Sequence, residues 1–558
     1  MPPTAAKGGI QMYYVNKKLK KTEPLFSDEP SKERKNLLRG LPIFSIESKL
    51  ALPENDESVK FMNYNTDSTL LTDGEKAIDP KYTNPCWFHI ALAKGRAITF
   101  ELPCICAVDS FKIGFCRSDV VAVRTPRYVA LQVSEDGETF ETVSADPKVH
   151  SPRDLQRFEY SVELEPVRAR YVRFVIDVLQ HIYIDEIELF GCTDVTEARI
   201  PRFDDAPMFP ELDHPPVFVG EYPAPDALGA ENILLSYHCN PNMQSKGLIT
   251  KEQYLPYVAY LNEDGEVLDT FFDGYLYLPY TAFNFSSEAQ CIDGWKYYLD
   301  NIFTPDRNLD ALDKVTKEVG EKLGIENLKT SVYFSVLYTF TAKECFGEIY
   351  GEKLHFENIE DRKKALKWLI DEYIRRYNEG GYDHTELKAF YWFEEQITYS
   401  DSHEEELIAF VRDYVHEKGY KLFWIPYFKA VGYHDWKRLG FDVACMQPNY
   451  AFGDDRKVEL IYETAKIAKE LGMCVELEIT GIKLDENGNV VNVKDVEKFI
   501  EYLEIGAETG YMNTIKMYYQ GGVPGDISKA VFSKTPRYRE MYDMTYKFAK
   551  RKLKSEEK

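Results

Sequence analysis

Four glutamates stand where acid–base chemistry can be done. Glu394 and Glu395 are adjacent in the run AFYWFEEQI, while Glu476 and Glu478 are spaced by two in CVELEIT. Read as a strand, the second run places Cys474, Glu476, Glu478 and Thr480 on one face and Val475, Leu477 and Ile479 on the other. The aliphatic face packs against helices, which turns both glutamates toward an interior where charge is costly unless used or paired. The adjacent pair points to opposite faces, so only one member can share that interior. Trp392 and Phe393 make both faces bulky; Glu395 is favoured, with Glu394 as the alternative. A protonated carboxyl on one strand and an ionised carboxyl on another meet the need of glycoside hydrolysis. One acts as acid on the leaving oxygen and the other attacks or activates water. The competing reading pairs Glu476 or Glu478 with an inward cation such as Lys516.

The elements that must hold these residues follow from the rhythm of the chain. Residues 1–35 are charged, Pro-bearing and aperiodic, which predicts a flexible arm. Over 36–192, short alternating runs (AITFELP, FKIGF, YVALQVSEDGETFETV, FEYSVELE, RYVRFVID, IYIDEIELFG) are split by turn signals, predicting an all-β sandwich. Residues 193–229 are rich in Pro and Asp and read as an extended linker packed on a neighbour. From 230 to 558, strand-like runs such as NILLSYH, TFFDGYLYLPY, TSVYFSVLYTF and KLFWIPYF alternate with amphipathic stretches such as EDRKKALKWLIDEYIRRYN. Eight such alternations predict a (β/α)8 TIM barrel, which needs about 250 residues before insertions. A doubly wound sheet is the alternative, but no GxGxxG or GxxxxGK[ST] follows any strand. In the barrel, the C-terminal strand ends form the active face, with AFYWFEEQI as strand four and CVELEIT as strand seven.

Other strand ends carry groups suited to a sugar: Tyr237 and His238, Asp273 and Tyr280, Tyr338, Trp392, Trp424 and Tyr427. Strand six adds Gln447, Asn449 and Tyr450, and strand eight adds Tyr518, Tyr519 and Gln520. Aromatic faces stack on pyranose rings while amides and phenols bond hydroxyls. His238 and His434 form no HExxH and have no Cys or Asp at metal spacing, so no catalytic cofactor is expected.

Composition agrees. The chain has 558 residues and a formal charge of −24, which disfavours nucleic acid and anionic membranes as partners. Its 39 Tyr and 33 Phe bring the aromatic fraction to 14%, a supply of flat amphipathic rings. No run approaches the ~18 consecutive apolar residues of a membrane span. The start lacks the apolar stretch of a secretory signal, and the ten cysteines show no CxxC or disulfide spacing. They read as free thiols in a cytoplasmic protein, or a secreted one if the chain has been trimmed.

Two resemblances extend these readings. From about Glu231 to Tyr519 the stretches ILLSY, YLPYVAYLNEDGEVLDTFFDGYLYL, AFYWFEEQ and FWIPYFKAVGYHDWKRLGFDVACMQPNYAF resemble a bacterial domain-of-unknown-function family with a glycoside-hydrolase-like barrel. The resemblance implies carbohydrate chemistry. By analogy with hydrolases of the four-and-seven arrangement, it places an acid at Glu395 (or Glu394) and a nucleophile at Glu478 (or Glu476), with retention favoured over inversion. Phe393 stands where that larger group has an Asn before the strand-four glutamate. The N-terminal region is similar to discoidin, or coagulation-factor type C, domains through LTDG, PRYVALQVSEDGETFETV, ARYVRFVI and DEIELFG. It implies a jelly-roll sandwich of the carbohydrate-binding kind with a structural calcium at Asp73 and Glu186, whose hard oxygens suit that ion. The expectation is therefore a glycoside hydrolase with an appended module and a carbohydrate as partner. The alternatives are a non-catalytic glycan-binding barrel and a lyase using His238 or a Tyr as base.

Overall fold

The computed structural model describes residues 12–13, 29–48, 69–78, 81, 84–91, 95–117, 123, 125–146, 156–178, 181–210, 214, 216–239, 247–280, 291–339, 345–397, 403–453 and 456–554. Most of the expected N-terminal arm lies outside these residues. Two compact units are present, one within Met1–Leu212 and one within Asp213–Lys558.

In the first unit, nine strands form one hydrogen-bonded sheet. This corrects the expected two-sheet discoidin-like jelly roll. Strand Arg96–Arg117 is 22 residues long and pairs antiparallel with Gln156–Ile176 on one side and His181–Cys192 on the other. Pro103 and Pro166 read as strand ends in the sequence, yet each lies within one of these long strands. Register shifts between Glu101 and Cys106 and between Val108 and Ser110 absorb the irregularity, as bulges do. Phe100, Phe111, Phe115, Phe174 and Ile184 are among the side chains that fill its core. The linker expected over 193–229 is anchored at both ends. The Arg168 N–H donates to the Arg199 carbonyl in the first unit, and the Val219 N–H donates to Glu470 in the second.

The second unit is a closed barrel of eight parallel strands. They are β1 (Asn232–His238), β2 (Gly274–Pro279), β3 (Thr330–Val336), β4 (Thr385–Trp392), β5 (Lys421–Trp424), β6 (Val443–Met446), β7 (Cys474–Glu478) and β8 (Lys516–Tyr519). The plain (β/α)8 TIM alternation is corrected here too, because the connections are not uniform single helices. β1 leads to α1 (Lys251–Val258) and then a hairpin, Ala259–Leu261 with Val267–Thr270, before β2. The run TFFDGYLYLPY is thus split, its first residue closing the hairpin and only its second half entering the barrel. α2 (Ile292–Ile302) and α3 (Asn308–Leu323) precede β3. A second hairpin, Gly347–Ile349 with Glu352–Leu354, precedes α4 (Ile359–Gly380). After β4 comes α5 (Glu404–Glu417), whereas β5 and β6 are joined only by a short turn and the four-residue α6 (Trp436–Leu439). α7 (Glu459–Leu471) and α8 (Lys494–Thr509) flank β7, and α9 (Asp526–Ala530) and α10 (Pro536–Ala549) follow β8.

Local signals set these boundaries. Thr250 and Gln253 form a reciprocal capping box at the start of α1. Gly324, Gly381 and Gly472 end α3, α4 and α7 in the left-handed conformation that glycine adopts without a Cβ penalty. Inside the barrel, Ile233, Leu276, Tyr333, Phe423, Cys474 and Met517 pack into one core. At the end away from the strand C-termini, the Lys516 ammonium is fully enclosed. It pairs with Glu231 and donates to the Met512 and Thr514 carbonyls, each at 2.8 Å. Lys516 therefore pairs with Glu231 and not with Glu476 or Glu478. None of the ten cysteines forms a disulfide. No helix among the described residues is long and apolar enough to cross a membrane.

Candidate functional site

A pocket of about 250 Å³ opens at the C-terminal ends of the strands. Tyr237, Tyr280, Tyr391, Phe393, Phe452 and Tyr519 supply its aromatic wall, and Glu395, Glu476 and Gln447 its polar groups. Four of the rings form a connected arc: Tyr237 lies 5.5 Å from Tyr280 and 5.7 Å from Tyr519, and Phe452 lies 5.2 Å from Tyr519, centroid to centroid; Tyr391 and Phe393 form a second pair at 6.0 Å.

The pocket lining distinguishes the members of each glutamate pair. Glu395 follows the end of β4, lines the pocket and is open to it, whereas half-buried Glu394 is not part of the lining. The Trp424 indole donates to the Glu394 carbonyl at 2.7 Å and so fixes the backbone beside Glu395. Withdrawal from water, aided by the charges of Glu394 and Glu478, pushes the Glu395 carboxyl up to about 7, against a hydrogen bond from Gln447. Glu478, the last residue of β7, is fully buried and is not part of the pocket lining, whereas Glu476 is. One of its oxygens accepts the Asn449 N–H at 2.9 Å and the other the Tyr502 hydroxyl from α8. The N–H groups of Tyr450 and Ala451 also favour its ionised form, but burial still lifts it to about 7. Glu476 lies one inward position deeper on β7, is 2% exposed, and has one oxygen with no hydrogen-bond partner. Burial first, then the charges of Glu478 and Glu395, raise it well above the usual carboxylate range.

This cluster gives the fold a definite pH response. The folded protein holds these protons more tightly than the unfolded chain does. Their contribution to stability is therefore fully present below about pH 4.5 and is lost as pH rises through about 7. Glu476→Gln, which removes one such charge, is expected to raise stability above pH 7 by on the order of 1–3 kcal/mol. The gain should vanish toward pH 4.5, the ordinary carboxylate value. Thermal unfolding across that range checks it; a variant equally or less stable at high pH contradicts the buried-charge account.

Several residues singled out by position on strands lie elsewhere. Trp392, Trp424, His238 and Tyr518 lie outside the pocket lining, one residue out of phase with the inward positions. His238 is enclosed against α2, stacked on Tyr298 and bonded to Asn301, and burial pushes it down to about 3. A histidine kept neutral and walled off in this way is a poor base for the lyase reading. Asp273 sits at the opposite end of β2, where it accepts the Glu231 and Asn232 N–H groups at 3.0 and 2.7 Å. The Tyr518 hydroxyl donates to Asn232 in the same region. Tyr338 donates to Glu404 at 2.6 Å and Tyr427 to Gln396 at 2.9 Å, both outside the pocket lining. Asn449 acts through its backbone. Phe452, Tyr391 and Tyr502 were not among the expected site residues. Tyr502 falls in the apolar stripe of an amphipathic helix, where a core role is the natural reading.

In the first unit, Asp73 and Glu186, expected to hold a structural calcium, stand beside the same turn. Asp73 caps its own turn by accepting the Glu75 N–H at 2.8 Å, while Glu186 accepts the Gly74 N–H at 2.9 Å. Its other oxygen faces the Arg39 guanidinium at 3.9 Å. That oxygen is buried and accepts no hydrogen bond among the described residues. No cluster of three potential side-chain ligands occurs among the described residues.

Residues 232–547 match the model of a family described as Domain of unknown function (DUF4855). No curated protein matches the sequence. Among solved structures, the chain is similar to CpGH89CBM32-5 from Clostridium perfringens, in complex with GalNAc-beta-1,3-galactose. That likeness has 18% identity, covers 22% of this chain and 82% of the other, and has a TM-score of 0.17. It is also similar to the CBM22-1–GH10 modules of Clostridium thermocellum endo-1,4-beta-D-xylanase 10B complexed with xylohexaose. Here identity is 9%, coverage 82% and 93%, and the TM-score 0.32. A fucolectin from striped bass serum matches at 18% identity over 22% of this chain and 42% of its own, with a TM-score of 0.18.

Proposed function

The chain belongs to the DUF4855 family, and on that footing we propose that its barrel is a glycoside hydrolase. Glu395 serves as acid/base and Glu478 as nucleophile. The observation that carries this reading is the unequal treatment of two carboxyls at the C-terminal ends of β4 and β7, Glu395 in the pocket lining and Glu478 enclosed outside it. Glu478 is given backbone N–H donors and the Tyr502 hydroxyl, all of which favour its charge. Glu395 stands among rings with only Gln447 against its proton. Burial lifts both to about 7, but only Glu478 has several donors aimed at its charged form, so we assign it the ionised role and Glu395 the protonated one, the division that glycosidic cleavage demands.

The reaction then runs on this chain's own residues, with no step routed through a metal or cofactor. A sugar ring seats against the aromatic wall that includes Tyr237, Tyr391 and Tyr519. Glu395 protonates the departing glycosidic oxygen as Glu478 attacks the anomeric carbon. Glu395, now ionised, takes a proton from the water that releases the sugar. Retention is preferred over inversion by analogy with hydrolases that carry their acids on strands four and seven; the anomer first seen by NMR reads this directly.

The test is a glycan library incubated with the full chain, with products followed by mass spectrometry. Release of reducing ends is expected, and binding without any release favours the non-catalytic alternative. The pH profile should be a narrow bell near pH 7. Activity falls below it as Glu478 gains a proton and above it as Glu395 loses one, about tenfold per pH unit on each flank. Tyr502→Phe removes a donor from ionised Glu478 and is expected to move the acidic flank upward while leaving the alkaline flank in place. An unmoved acidic flank contradicts the role given to Glu478.

A further inference from the structure

The hydrolytic pair uses Glu395 and Glu478 and leaves a third acid unexplained. Glu476 reaches the same pocket from one inward position deeper, is 2% exposed, and has a buried oxygen without a donor. A buried acceptor left in that state is expensive, and natural structures rarely keep one without a use. Among the described residues nothing balances the charge it would carry if ionised, so burial favours its neutral form. No Lys, Arg or His occurs in the described lining, and the enclosed Lys516 is engaged by Glu231 at the far end of the barrel. The remaining wall is mainly rings, whose faces attract cations.

We propose that this pocket accepts a sugar bearing a protonated amine, with the ammonium held between Glu476 and the aromatic wall. The inference rests on the reading of the barrel as a sugar site and narrows it to hexosamines with a free amino group. An ammonium brings three donors and no acceptor. It brings the positive charge that makes ionisation of Glu476 favourable and a donor for the resulting carboxylate. A hydroxyl supplies only the donor, and an N-acetyl group carries no charge. Uronic, sulfated and sialylated sugars bring negative charge toward three glutamates and are disfavoured on the same ground. The net charge of −24 also favours the approach of cationic glycans.

The test titrates the full chain with glucosamine, N-acetylglucosamine and glucose at neutral pH by calorimetry or ligand-observed NMR. Glucosamine is expected to bind about tenfold or more tightly than either of the others. In Glu476→Gln, with its fold checked by thermal unfolding, that preference should disappear. Equal binding of the three sugars, absence of glucosamine binding, or a preference that survives in Glu476→Gln overturns the proposal. The wild-type comparison stands whatever the variant does. Cleavage of neutral glycans without glucosamine preference overturns this inference and leaves the hydrolase standing. Glu476-dependent glucosamine binding with no cleavage of any glycan does the reverse.

Discussion

Glu478→Gln is expected to lower turnover by about 10⁴-fold or more, and Glu395→Gln by about 10²–10⁴-fold, while both variants keep the wild-type fold. Glutamine preserves the size and one carbonyl acceptor for the Asn449 N–H, while its NH2 donates to the Tyr502 hydroxyl in place of accepting from it, so packing around position 478 is little changed. What is lost is nucleophilic charge in one case and the transferable proton in the other. The two losses separate by substrate. A glycoside whose leaving group departs without protonation should recover much of the deficit in Glu395→Gln and none of it in Glu478→Gln. Product release read against circular dichroism of each variant decides the matter. Wild-type turnover in either variant removes that residue from the chemistry, and wild-type turnover in both removes the mechanism.

Lys516→Met is expected to destabilise the barrel unit by about 3 kcal/mol, read from denaturant unfolding. The ammonium is wholly enclosed, and burial pushes it down to about 8, so at pH 7 it is still mostly charged. Methionine fills similar space but leaves the Met512 and Thr514 carbonyls without their donor. Glu231 keeps its second partner, Arg551, whose Nε donates at 2.7 Å. That retained ion pair holds the loss at the lower end of the range for a broken buried pair. A change below about 1 kcal/mol implies that the pair and its carbonyls are solvated in the folded state.

The period-two signal was strong enough to turn Glu476 inward, because three aliphatic side chains mark the other face of β7. It was too weak at β4, where Trp392 and Phe393 are equally bulky and only the closed barrel separates Glu395 from Glu394. Trp424, His238 and Tyr518 show the same limit from the other side. Each sits on a barrel strand but one residue out of phase with the inward set, and a strand end alone does not say which face a ring takes. The long N-terminal strands were read as pairs because Pro103 and Pro166 look like stops; a bulged sheet tolerates them. Tyr502 was illegible for a different reason. Its hydroxyl reaches across from a helix whose apolar periodicity is satisfied without it, so only three-dimensional proximity exposes its partnership with Glu478.

The segment just after β6 touches every part of the proposed chemistry: Gln447 bonds Glu395, the Asn449 N–H bonds Glu478, and Phe452 walls the pocket. Asn449 does this at a φ of 60°, a conformation that glycine shares and β-branched residues resist. Six consecutive positions thus tune two protonation equilibria at once, and an insertion or deletion there would detune both together. The connections after β4 and β7 share in that constraint, because they carry Glu395 and Tyr502, which leaves the remaining connections freer to change length.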